Sequence, residues 1–207
     1  MSKYLLKVLI DPETVKFFSD NNQKIVIVKK VNNGDPSTAN VAWVTFTPFE
    51  VNTVIWEDIY GLYSSYTELQ GNASIVKSSY VLASTKNTYP FESGIFSSPV
   101  LDSSISDNTY EVLNKMSEYE YLTFGLAQNV QVNGLSYEGN PINATSVLPN
   151  QVASFTPNER IYIFMQSNID NAVLISGVTS TELDIDFTGK SEVTIKYDNS
   201  IGGFVKM

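Results

Sequence analysis

The chain contains no histidine and no cysteine, and its only arginine is Arg160. Without imidazole or thiolate ligands, zinc, copper and iron–sulfur centres lose their usual donors. A serine nucleophile lacks its usual imidazole base, no Gly-x-Ser-x-Gly elbow occurs, and no glycine-rich phosphate loop is present. No disulfide framework can form. Charged residues make up only 17% of the chain, against about a quarter in an ordinary domain. The net charge is −9, and Lys29–Lys30 is the only adjacent basic pair. Phosphate binding needs clustered lysine and arginine, so neither nucleic acid nor an anionic lipid surface is expected as a partner.

Long apolar runs are missing too, which excludes a membrane-spanning helix on the hydropathy pattern. The opening Tyr4–Ile10 run is interrupted by Lys7 and followed by Asp11-Pro12-Glu13 rather than by small residues. It therefore reads as a first strand and not as a signal peptide. The expectation is a chain made in the cytoplasm, retained there or released without a leader.

What the chain does have is 43% hydrophobic and 12% aromatic residues in 207 positions, enough for a substantial core in one domain spanning 1–207. Asn, Ser and Thr together supply more than a quarter of the sequence. Asp11-Pro12-Glu13 starts a short helix, with Asp11 as N-cap and Pro12 in its first turn, ending near Ser19 before Asp20-Asn21-Asn22. Period-two or β-branched runs at 24–31, 41–47, 53–60, 62–69, 74–83, 120–129, 130–134, 160–166, 172–176, 182–187, 192–197 and 201–207 read as strands. Turn chemistry lies between them, at 32–35, 70–72 and 189–190, and Gly61 is expected at a bulge or exposed bend. Residues 110–116 read as a helical turn or a strand. Residues 84–107, with Pro90, Gly94, Pro99 and many serines, read as a long central loop. About ten strands at this spacing predict an all-β fold: an antiparallel β-sandwich with one short N-terminal helix and a long central loop.

Three sets of residues carry chemistry. Glu182, Asp184 and Asp186 share one face of a strand and supply oxygens of the type calcium takes, yet the loop geometry of a calcium motif is missing. They equally form a solvated face opposite Leu183, Ile185 and Phe187, and no metal or other cofactor is expected. Glu57/Asp58, Glu118/Glu120 and Asp184/Asp186 have the composition of a glycoside-hydrolase acid pair, with strand carboxylates two apart lying about 6–7 Å from each other. Nothing marks one of them as buried, so an acid-pair hydrolase ranks below a non-enzymatic protein. The aromatic residues Trp56, Tyr60, Tyr63, Tyr66, Tyr119 and Tyr121 are the candidate ligand-binding set. Rings of this kind stack on sugars or settle at a membrane interface when they point outward, and fill strand cores when they do not. The expected function is non-enzymatic attachment to cell-surface glycans or lipid membranes, lectin-like or pore-forming-toxin-like. The alternative is a structural homo-oligomer self-assembling through edge strands.

Overall fold

The computed structural model describes residues 2–32, 39–178 and 180–207. Most of the turn expected at 32–35 lies outside the described residues. The chain is 58% strand and 5% helix. In chain order the elements begin β1 (Lys3–Leu9), α1 (Pro12–Asp20), β2 (Gln23–Asn32), β3 (Ala39–Asn40), β4 (Val44–Phe46), β5 (Val51–Ser65), β6 (Lys77–Leu82), β7 (Asn87–Glu92) and β8 (Ile95–Phe96). They continue β9 (Val100–Leu101), β10 (Tyr110–Asn114), β11 (Leu122–Val132), β12 (Leu135–Pro141), β13 (Asn143–Val147), β14 (Val152–Ser167), β15 (Leu183–Asp186), β16 (Glu192–Asp198) and β17 (Gly203–Lys206).

The helix begins where Asp11 and Pro12 place it: Asp11 is extended and Pro12 opens the first turn. Phe18 is buried edge-on against Tyr197, with ring centroids 4.9 Å apart, and so docks the helix on the sheet.

Strands form two sheets. The nine-stranded sheet runs β17-β16-β1-β5-β11-β13-β3, with β12 on β11 and β6 on β5. The eight-stranded sheet runs β4-β2-β14-β10-β7-β8, with β15 on β14 and β9 on β7. Both sheets are mixed rather than antiparallel, because β1 pairs with β16 and β7 with β10 in parallel. The main core draws Leu6, Val8, Val54, Phe124 and Leu126 from the first sheet and Ile25, Ile27, Ile161 and Ile163 from the second. A second cluster, in which Tyr63 and Ala127 meet Leu174 from the connection after β14, and a third around Val26, Val28 and Phe164 draw on the alternate positions of β5, β11, β2 and β14. That is why β2 reads as a near-continuous β-branched run: both of its faces are covered.

Several expected boundaries shift. The 84–107 segment is not a loop: it holds β7, β8 and β9, with Ser93-Gly94 at positive φ joining β7 to β8 as a two-residue hairpin. Gly61 makes no bend. It lies inside the continuous β5, where an added Cβ would collide with the Tyr80 ring from β6.

Candidate functional site

Period-two alternation along β2 sends Ile25, Ile27 and then Lys29 toward the core. Lys29 is 3% exposed. Its Nζ donates to Gln128 Oε1 at 2.6 Å, and lies 4.8 Å from the ring centre of Trp43, 5.2 Å from that of Trp56 and 5.5 Å from that of Tyr60. Burial pushes the ammonium down to about 7, against the pull of Asp58 and Glu159, which favour the charged form. The aromatic faces add attraction for a cation at these distances.

Gln128 uses both ends of its amide. While Oε1 accepts from Lys29, Nε2 donates to the Glu57 carbonyl at 2.6 Å. Around it both sheets lose register at the same level. Glu57, Asp58 and Ile59 of β5 stand opposite Asn129 alone on β11, since Tyr60 pairs with Gln128 and Trp56 with Val130. Asn158, Glu159 and Arg160 of β14 stand opposite Lys30 alone on β2, since Pro157 pairs with Val31 and Ile161 with Lys29. Pro157 has no N–H for the ladder, which accounts for a break there. Such irregularities re-aim side chains. Here they bring Asp58 and Glu159 to the mouth of the buried site: Tyr60 is hydrogen-bonded to Asp58, and Tyr4 donates to Glu159 Oε1 at 3.0 Å. Burial first, and the Asp58 carboxylate second, hold the Tyr60 hydroxyl well above its ordinary range.

Outside the β5 irregularity lies a groove of about 320 Å³. Ile55 and Ile59 line it together with Glu57, Gln131, Ser136, Tyr137 and Glu138, Lys3 stands beside them, and Trp56 and Val130 border it while remaining almost wholly buried. Asn129 at its edge accepts from the Gly139 N–H at 2.7 Å. The side-chain heads of Glu57, Gln131 and Ser136 make no hydrogen bond to another described residue. Their donors and acceptors are open to a ligand.

The six aromatic candidates separate. Trp56 and Tyr60 are buried around Lys29, so neither offers an exposed ring. Tyr63 is fully buried over Gly125, where no Cβ would fit, and its hydroxyl donates to the Asn143 carbonyl at 2.6 Å. Tyr121 is half-buried. Tyr66 and Tyr119 remain outside, 49% and 42% exposed, with ring centroids 5.0 Å apart. They come from the loops after β5 and β10, beside the Ser93-Gly94 turn; Glu68, Glu118 and Glu120 are exposed in the same connections, and Glu92 is exposed at the end of β7.

The acid pairs read otherwise. Arg160 Nη1 donates to Asp184 Oδ2 at 2.8 Å and Nη2 to Asp186 Oδ2 at 3.0 Å. The Thr188 hydroxyl and N–H, with Arg160 behind them, hold the Asp186 carboxyl below its ordinary range, opposite to what a general acid needs. Among the described residues no cluster of three or more acidic side chains is arranged to hold a metal ion. Ser74 and Lys77 have Ser-x-x-Lys spacing, but the Lys77 ammonium is bound to the Glu138 and Gly139 carbonyls at 3.3 and 2.5 Å and does not serve Ser74. No helix among the described residues is long and apolar enough to cross a membrane.

Four sequence candidates fall at these two places, Trp56 and Tyr60 around Lys29 and Trp56, Glu57 and Asp58 along the irregular stretch of β5, but Lys29, Gln128 and the rest of the groove were not among the candidates. The signal for Lys29 was its parity with Ile25 and Ile27 on one strand. The groove left no local signal, because it arises from a mismatch between strands far apart in sequence. Comparison with family models, with known proteins and with solved structures finds no match to the chain.

Proposed function

We propose that the protein is a non-enzymatic β-sandwich binding protein that attaches to cell-surface glycans, and that the groove beside Glu57 and Tyr137 is its sugar site. The observation that carries this reading is the groove itself: an aliphatic floor, one phenol ring, and amide, hydroxyl and carboxylate heads that make no hydrogen bond to another described residue. A pyranose needs that combination, since its C–H face stacks on a ring or alkyl floor while its hydroxyls pair with fixed polar groups. The volume sits at the lower end for ligand pockets, about 300–1,000 Å³, and suits a mono- or disaccharide. Carboxylates at the groove and around the Tyr66–Tyr119 pair accept hydroxyl hydrogen bonds and repel anionic headgroups, so the surface favours sugar over anionic lipid. The Tyr66–Tyr119 pair supports a second contact platform on the same glycan-coated surface.

Edge-strand self-assembly has less support. Among the described residues its longest candidate edges are β6 and β12, of six and seven residues and each paired on one side only, whereas β8 and β9, of two residues each, give a neighbouring chain little backbone to pair with. A glycan panel with neutral liposomes in parallel tests the reading. Retention on a defined set of glycans is expected. Binding to liposomes alone, or to neither, overturns it.

A further inference from the structure

The Lys29 amine and the groove are joined by one side chain. Gln128 accepts from Lys29 Nζ on the core side and donates to the Glu57 carbonyl on the groove side, both at 2.6 Å. Glu57 opens the three-residue irregularity that shapes the groove, and it is itself one of the lining residues. We propose that Lys29 acts through Gln128 as the positioning residue of the groove, so that ligand occupancy and protonation of the buried amine are coupled. The inference rests on the groove being a ligand site.

The physical link is polarisation. An ammonium on Gln128 Oε1 makes a short charge-assisted bond and strengthens the amide's other end as a donor, which pins the Glu57 carbonyl. A neutral amine loosens that pin and lets the Glu57–Ile59 segment relax. A ligand fitted to the pinned groove therefore binds the protonated form more tightly, and by reciprocity raises the proton affinity of Lys29.

The groups that face Lys29 are Asp58 and Tyr60 on β5 and Glu159 on β14, backed by Tyr4 on β1 and Tyr110 on β10. Burial brings the amine to about 7, with Asp58 and Glu159 opposing it. The chain has no histidine, so no imidazole titrates in that range. The terminal α-amino group does titrate there, and it stays in place when Lys29 is changed.

The ring centres of both tryptophans of the protein, Trp43 and Trp56, lie 4.8 and 5.2 Å from Lys29 Nζ. Intrinsic fluorescence thus reads the amine without any ligand. Between about pH 6 and about pH 9, the wild type is expected to show one transition that Lys29→Met abolishes. The backbone amide resonances of Glu57, Asp58 and Asn129 are expected to shift with the same midpoint. In Gln128→Met the fluorescence transition persists while the groove amides stop following it. Affinity for a retained glycan is expected to fall about fivefold across this range in the wild type and to stay flat in both variants. No fluorescence transition in the wild type, or groove amides that track pH equally in Gln128→Met, overturns the coupling. Glycan binding that is present but independent of pH overturns it while leaving the sugar site standing. A panel that retains nothing defeats the sugar site instead, and the ligand-free fluorescence and amide shifts still decide the coupling.

Discussion

Lys29 Nζ and Gln128 Oε1 meet at 2.6 Å between two sheets, where every neighbouring inward position on β2 and β11 is apolar. A lysine and a glutamine on facing strands, each in a row of isoleucine, leucine and valine, form one buried polar pair. Either member alone would leave a buried group unpaired, at a cost of about 1–3 kcal/mol.

The first prediction concerns stability against pH. The folded state holds the Lys29 pKa at about 7, below its ordinary 10.5. Between those values the unfolded chain carries a proton that the folded chain lacks, so this group makes stability rise with pH, by up to about 1.4 kcal/mol per pH unit. Below about 7 both states are protonated and the slope vanishes. Urea unfolding at pH 7.5, 8.5 and 9.5 is expected to show the wild type gaining on Lys29→Met at each step. The comparison with the variant removes the opposing effect of the chain's growing negative charge.

Gly61 gives the second prediction. Its missing Cβ is the space that the Tyr80 ring occupies. Gly61→Ala is expected to destabilise by no more than about 1 kcal/mol, because the outer end of the exposed Tyr80 ring can swing off the strand, and in a Tyr80→Ala background the same change should cost nothing. An equal loss in both backgrounds, measured by denaturant melts, would rule out the ring as the cause.

The outer tyrosines give the third. Tyr66 and Tyr119 are exposed and bear on each other. Tyr66→Ser with Tyr119→Ser is expected to leave stability within about 0.5 kcal/mol while lowering retention on a glycan-coated surface about threefold to tenfold. Unchanged retention would remove the pair from the binding surface.

Much of the strand content was legible because alternation and β-branching are local properties: Leu183, Ile185 and the run from Arg160 to Gln166 all fall in strands. Strand direction was not. Nothing in a period of two records that Leu6 lies beside Val193 in parallel and beside Val54 in antiparallel register. The 84–107 segment misled because Pro90 and its serines are turn residues by composition, yet β7 sits between β10 and two very short strands that ask little of the ladder. Asn133-Gly134 was a stronger signal than the strand reading of 130–134 allowed. Both residues have positive φ and close the β11–β12 hairpin that forms one wall of the groove. The aromatic set divided for reasons that only packing supplies: Tyr63 has Gly125 to lie on, whereas Tyr66, three residues later, follows the last residue of its strand.

The most direct test of glycan attachment is calorimetric titration of the best-retained glycan into the wild type and into Tyr137→Ala with Gln131→Ala. An affinity loss of at least about tenfold, as expected when a stacking ring and a hydrogen-bonding amide are both removed, places the sugar in the groove, provided it is measured well below the melting temperature of the variant, which truncation of the core-packed Tyr137 lowers. Equal affinities in the two proteins contradict it.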